Sequence, residues 1–517
     1  VISGTTNPTF TLGATGAIIT SNTGGLVTAI TTPGTNVFTA GASYTFNGAT
    51  ITPFHSATLG APADVIINAN VTLNKSTTIT NSISLTSGTL TVGANTLTLS
   101  GSTINRDGTT YTGNIDASNA SATVAFTNTS ALTIPASTFT GTCKNITMNG
   151  AGGITLGSDL TIGGTLTFTS GKITSGSNKV ILTSAGAVSR TSGYVNGNLQ
   201  KNVAVSATSR TFEIGDASNY SPITLALTGV TVAGDLVAST SIPGAAPASA
   251  SGIHPTKYLN RYWTLTNSGI TLSSFDPTFT FVAGDIQGSA ATSSFIGAKL
   301  TSSVWTNPTV GTLTSTSSQL TGVTSFGDFY LGQPGTPTVT SSAASSISTT
   351  GAELNGTVND NGSTTTPGFD YGTTTSYGSV GTASPSSISS GTGATSITST
   401  IGSLSVNTQY NFRATATNSL GTTNGSNLTF YTLANVPGTP TVNNPTNTTL
   451  DVLIDVNSNP SNTQFAIQET SSNNYVQVNG SLSASEVWQT ASVWGTKTVT
   501  GLSGGTAYAF QVKVVKV

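Results

Sequence analysis

The chain holds two histidines, His55 in TPFHSAT and His254 in SGIHPTK, and a single cysteine, Cys143. A metal centre or a nucleophile–base pair needs several such groups at ligand spacing, and neither histidine has a His, Cys, Asp or Glu so placed. Both read as exposed loop histidines, and Cys143 reads as a buried thiol. Paired carboxylates would suit glycoside hydrolysis. The densest acidic pairs are Glu213 with Asp216 and Asp276 with Asp285, while residues 51–200 carry only Asp64, Asp107, Asp116 and Asp159. A structural role is expected for each. Asn359-Asp360-Asn361-Gly362 has part of a calcium loop's spacing but lacks the downstream acid, so a hairpin turn is expected. No Gly-x-Ser-x-Gly elbow stands before a helix. Arg261 and Arg413 lie beside aromatics in alternating strands, where packed stems and a nearby carboxylate are expected. No catalytic residue, metal ligand or cofactor is assigned.

Composition explains why chemistry is scarce. Of 517 residues, 15 are Lys or Arg and 17 are Asp or Glu, so charged residues are 6% of the chain. Roughly a third are Ser or Thr, well above ordinary usage. A chain so poor in Lys, Glu and Arg cannot solubilise many amphipathic helices. Its hydrophobic fraction of 36% and net charge of −2 are those of a folded β-protein rather than a disordered one. Scattered basic residues argue against nucleic acid as a partner. No apolar run reaches the length of a membrane-spanning helix. The chain begins at Val1, without Met, and reads as processed or partial.

An internal repeat organises the first part. Residues 71–100 and 154–183 align at an offset of 83, matching Leu73 with Leu156, Ile79 with Ile162, Gly88 with Gly171 and Asn95 with Asn178. Within each copy apolar residues alternate with Thr or Ser, which is the period of half-buried strands. Short strands punctuated by Gly and Asn predict stacked coils of a β-solenoid over residues 1–198, with an N-terminal arm. Tandem sandwiches are the rival reading. Residues 199–333 gain charges and aromatics, including Tyr258, Tyr262, Trp263, Phe275, Phe279 and Phe281. They predict an antiparallel β-sandwich with an aromatic core.

PGTPTV occurs at 334–339 and 437–442. Leu404 precedes Tyr410 by six residues, and Leu502 precedes Tyr508 by six. Leu, a turn, then a Tyr opening an alternating strand is the pattern of a tyrosine corner. Residues 334–435 and 436–517 therefore resemble fibronectin type III domains. SGTLTVGANTLTLSG, SGYVNGNLQKNV, SRTFEIGDASNYSPITL and KYLNRYWTLTNSGI are similar to segments of secreted multidomain surface proteins of the Bacteroidetes and Chlorobi type. That resemblance implies an extracellular or cell-surface location and a string of β-modules.

The second fibronectin-like copy has nine residues after Tyr508, against a further strand's worth after Tyr410, so its final strand is expected to be missing. The leading expectation is a non-enzymatic structural protein, the subunit of a surface filament built from copies of itself. In that reading an N-terminal segment within Val1–Thr20, carrying Phe10, Leu12, Ile18 and Ile19, completes the sandwich beside Phe510, Val512 and Val514 of a neighbour. One alternative is a monomeric adhesin stalk binding a host or substrate surface. Another is the non-catalytic part of a polysaccharide-active enzyme, in which Trp488 and Trp494 would be sugar platforms, although core or edge packing is the favoured reading of both.

Overall fold

Thr–apolar alternation builds the strands, and Gly or Asn at positive φ ends them. A computed structural model describes residues 9–54, 60–247, 251–389 and 392–515. Strands take 51% of the chain and helix 3%, which makes it all-β. It divides into two compact units, Val1–Gln333 and Pro334–Val517.

The first unit opens as the expected solenoid. One parallel sheet runs through Thr77–Ile79, Thr96–Leu99, Thr123–Phe126, Asn145–Asn149, Thr165–Ser170 and Ala187–Arg190. A second runs through Ala17–Thr20, Ser43–Phe46, Asp64–Ile67, Ser82–Leu85 and Thr103–Asn105. Successive coils stack like on like. Leu97, Val124, Ile146 and Leu166 form one column, and Leu99, Phe126, Met148 and Phe168 the next, all buried. Between the columns Thr98, Thr147 and Thr167 turn outward, and Ala125 takes that place in Thr123–Phe126. Coil length varies, because Asp64 pairs with Ser82 but Thr96 with Thr123. The 83-residue repeat is therefore not a whole number of coils. Ser82–Leu85 and its counterpart Thr165–Ser170 lie in different sheets. What repeats is the strand-and-turn spacing.

Turns that bring coils into backbone contact demand glycine. A Cβ on Gly101 would stand 1.8 Å from the Asn81 carbonyl oxygen, and one on Gly171 2.0 Å from that of Gly150. Gly171 also has φ of +78°, a conformation glycine adopts without steric cost.

Strand Tyr194–Val203 joins solenoid to sandwich. It pairs parallel with Lys172–Leu182 on one side and antiparallel with Gly234–Ser241 on the other. The sheet continues through Ile253–Ser268, Asp328–Pro334, Ile296–Thr301 and Val304–Thr306. A division at 198/199 would cut this strand. A solenoid's last coil presents an open edge, and the sandwich covers it. The opposing sheet is Ser209–Phe212, Ile223–Thr228, Ser274–Thr280, Ser317–Thr321 and Thr309–Leu313. Between the sheets Trp263, Phe275, Phe279, Phe281 and Phe329 are fully buried, in one hydrophobic core continuous with the solenoid's. Tyr258 and Tyr262, expected in that core, alternate with Leu259, Arg261 and Trp263 and face the other way.

The second unit is two sandwiches with separate cores. In the first, Thr338–Ser345, Ala352–Asn359 and Ala394–Ile401 face Ser379–Thr382, Thr366–Gly372 and Gln409–Asn418. Gly421–Asn424 and Leu428–Tyr431 close the far edge of Gln409–Asn418. In the second, Thr441–Asn443, Thr449–Leu453 and Thr496–Thr500 face Leu482–Ser483, Tyr475–Val476, Gln464–Glu469 and Phe510–Val514. Asn407 Nδ2 donates to Thr463 Oγ1 at 2.9 Å in a buried contact between these two modules.

Candidate functional site

The two sandwiches of the second unit differ at one edge. In both, a corner tyrosine opens the strand. The Tyr410 hydroxyl accepts from the Ser405 backbone N–H at 3.0 Å, and the Tyr508 hydroxyl from Ser503 N–H at 2.9 Å. Leu404 and Leu502 are buried beneath these arches. Two residues on from each tyrosine stand Phe412 and Phe510, both buried. Four and six residues on, the modules diverge. Ala414 and Ala416 are 0% exposed, whereas Val512 and Val514 are only partly buried. Gln409–Asn418 is paired on both sides, while Phe510–Val514 pairs with Gln464–Glu469 alone among the described residues. The outer side of Phe510–Val514 thus has no paired strand among the described residues, and its backbone groups and apolar side chains stand at an open edge.

A second open edge lies in the first coil. Ala17–Thr20 pairs in parallel with Ser43–Phe46 and forms the end of its sheet among the described residues. Ile19 is 70% exposed there. Thr11–Leu12 pairs with Val37–Phe38, Leu12 is buried, and Phe10 and Ile18 pack on the core. Residues 9–20 are thus part of the solenoid rather than a free arm, and lending Phe10 or Leu12 to a neighbour would require the coil to open. Residues 1–8 of the expected donor segment lie outside the described residues.

The groups with chemical potential are tied up structurally. Arg261, fully buried, binds Asp285 by Nε at 2.8 Å and Asp216 by Nη2 at 2.5 Å. Burial alone would lower the guanidinium's pKa, but its hydrogen bonds to both carboxylates outweigh it and raise it. The acids expected as Glu213–Asp216 and Asp276–Asp285 are thus re-sorted. Asp216 and Asp285 meet on Arg261, Glu213 pairs with Lys201 at 2.5 Å, and Asp276 accepts from Gly322 N–H. Arg413 binds Asp370 and lies over the Tyr377 ring. Asp360 takes the Gly362 and Gly393 N–H groups in a turn. Burial, then the charge of Asp116, pushes the Cys143 thiol up to about 12, so it is a poor nucleophile at neutral pH. His254 accepts from Thr256, and His55 lies outside the described residues. Among the described residues no three His, Cys, Asp or Glu side chains converge as metal ligands, and no helix is long and apolar enough to cross a membrane. Trp494, whose favoured reading is core or edge packing rather than a sugar platform, is 2% exposed and donates from Nε1 to the Phe465 carbonyl, so it belongs to the core.

The sequence also held an aromatic surface that its strand pattern could have located. Tyr262 precedes core Trp263, and Tyr330 follows core Phe329. Strand alternation sends one of each adjacent pair outward. On that outer face Tyr262 and Tyr330 stack at 5.0 Å and 13°, and Trp305 tilts against Tyr330 at 5.2 Å.

Fold and edges together define a protein built of a β-solenoid, a fused sandwich and two fibronectin type III-like sandwiches. No family model and no curated protein matches the chain. Among solved structures it is similar to the sensor domain of the anti-sigma factor RsgI4 of Pseudobacteroides cellulosolvens. The longer form of that domain shows 29% identity over 19% of this chain and 91% of its own, with a TM-score of 0.16. A shorter form gives 29% over 20% and 98%, with 0.17. The FN1–FN3 domains of chicken CNTN1 show 12% identity over 47% of this chain and 89% of theirs, with a TM-score of 0.16. At such scores these likenesses add nothing to the fold, which rests on strand order.

Proposed function

We propose that the protein is a non-enzymatic, extracellular structural subunit that assembles head-to-tail with copies of itself by strand pairing. The acceptor is the open edge of Phe510–Val514. The partner is the Ala17–Thr20 edge of the next copy, kept within its own coil. The observation that carries this reading is that Phe510–Val514 pairs on one side alone among the described residues, with Val512 and Val514 partly exposed, whereas its counterpart Gln409–Asn418 is paired on both sides. Open edges normally bear charged guards. Here Ala17–Thr20 has none and its Ile19 is apolar and exposed, while the one charge on Phe510–Val514, Lys513, is paired with Glu486. Two different edges joined in a repeated contact leave one edge of each kind free at the ends, and the product is a fibre wherever the rotation between copies does not close a ring. The secreted-type segments and the charge-poor, Thr-rich surface support an extracellular setting.

Electron microscopy and sedimentation of the purified chain test this. Fibres are expected from the wild type. Ile19→Lys and Gln511→Lys change exposed residues on the two edges, and each is expected to suppress assembly. Combining Ile19→Lys with Gln511→Glu is expected to restore it through a cross-edge ion pair. A monodisperse species of 51.7 kDa at every concentration would overturn the reading in favour of a monomeric stalk. So would protection, in the monomer, of the Phe510–Val514 amides that face away from Gln464–Glu469, since the edge would then be filled from within the same polypeptide.

A further inference from the structure

The aromatic stack on the outer face of the sandwich has no part in strand pairing. Centroids 5.0 Å apart at 13° mean that Tyr262 and Tyr330 overlap face to face with an offset. Trp305 closes the other side of Tyr330. Ala298, which pairs with Tyr330, is 0% exposed although it lies on the outward face. Its small side chain is the floor over which the rings lean. The opposite end of the stack is different. There the residue paired with Tyr262 is Ser241, small and exposed, and Ser239 pairs with Thr264. Among the described residues the ring series thus ends over a ledge of hydroxyls, where a further flat ring would continue it. Beside the ledge Thr264 Oγ1 donates to Asp328 Oδ1 at 2.6 Å.

We propose that this ledge binds carbohydrate, with one pyranose ring of a β-1,4-linked glucan stacked on the free face of Tyr262. A pyranose whose substituents are all equatorial has an apolar C–H face and a rim of hydroxyls. The face suits the exposed side of an aromatic ring, and the rim suits Ser239, Ser241 and Thr264. A nucleotide would also stack, but the Asp328 carboxylate on the same face repels phosphate. A neutral polyol meets no such charge. The glucan's repeating rings let many copies of the protein engage one strand, so weak single sites would combine into strong retention.

Titration of the full chain with cellohexaose and co-sedimentation with microcrystalline cellulose test the site. The wild type is expected to bind both. Tyr262→Ala is expected to weaken cellohexaose binding by about tenfold or more, while Tyr262→Phe stays within about twofold, because stacking does not need the hydroxyl. Ser241→Tyr places a ring of the protein's own on the ledge without removing any packing. It is expected to abolish binding with the thermal unfolding profile unchanged, which separates loss of the site from loss of the fold. Absence of binding by the wild type overturns the proposal. So does unaltered binding by Ser241→Tyr, which would locate the sugar elsewhere. Retention on cellulose without cellohexaose binding would mark an unspecific surface effect and likewise overturn it.

Discussion

Arg261 donates from Nε to Asp285 Oδ2 at 2.8 Å, with the two side chains 0% and 5% exposed. The same guanidinium holds Asp216, so one arginine ties the short 3-10 turn Ala283–Asp285 and the loop before Tyr220 to strand Ile253–Ser268. A buried charge stripped of its partner is costly, whereas an apolar replacement of the whole group is often neutral. Arg261→Met is therefore expected to destabilise the first unit by about 3–5 kcal/mol. Adding Asp216→Asn and Asp285→Asn is expected to recover part of that loss. Denaturant unfolding of the three proteins measures both, and a loss under about 1 kcal/mol for Arg261→Met would show that the group is dispensable.

The same cluster sets an acid limit. Burial alone would raise the Asp216 carboxyl, but donation from the Ser218 N–H, then from Arg261 and Asn219, holds it below its ordinary 3.8. A carboxyl depressed on folding stabilises the protein above its unfolded pKa, and that stabilisation fades as pH falls through the folded value. The melting temperature of the first unit is expected to be flat from neutral pH down to about 5 and to drop below about 4. Asp216→Asn is expected to start lower and to flatten the acid limb. An equally steep limb in that variant would assign the acid sensitivity to other carboxylates.

Both tyrosine corners are expected to matter modestly. Tyr410→Phe and Tyr508→Phe each remove one acceptor, at about 1 kcal/mol. The two losses are expected to be independent, because the modules have separate cores. Calorimetry of the single and double variants reads this out, and strong non-additivity would mean that the modules unfold as one.

In a stack of this kind a missing ring is felt. Phe126 lies between Leu99 and Met148 in the solenoid core and is 0% exposed. Phe126→Ala is expected to cost about 3–5 kcal/mol. Thermal unfolding is expected to show the shift in the first unit's transition and none in the second's.

Amide exchange distinguishes the two last modules directly. In the absence of assembly, Gln409–Asn418 is expected to be protected along both edges and Phe510–Val514 along one. Under assembly conditions the slow amides should extend over Phe510–Val514 and over Ala17–Thr20 together. Protection gained at one edge without the other would break the proposed pairing.

Much of the architecture could be read from residue order. Thr alternating with Leu, Ile or Val sets strands with one wet face. Gly at short intervals sets turns, and Leu six residues before Tyr sets the corner. These are local rules, carried by side-chain period and backbone freedom, and they hold wherever the segment lies.

Partnerships across long separations needed the folded chain. Asp216 and Asp285 look unrelated in sequence until Arg261 draws them together. Phe10 and Leu12 have the alternation of a free strand, yet the parallel edge at Val37–Phe38 takes them into the first coil. The Phe465 carbonyl fixes Trp494 in the core, while the outward platform is formed by Tyr262, Tyr330 and Trp305 from three separate strands. Strand period states which side of a sheet a residue faces only once the register and the covering layer are known. Those are set by the summed burial of the whole unit and cannot be read from any one segment.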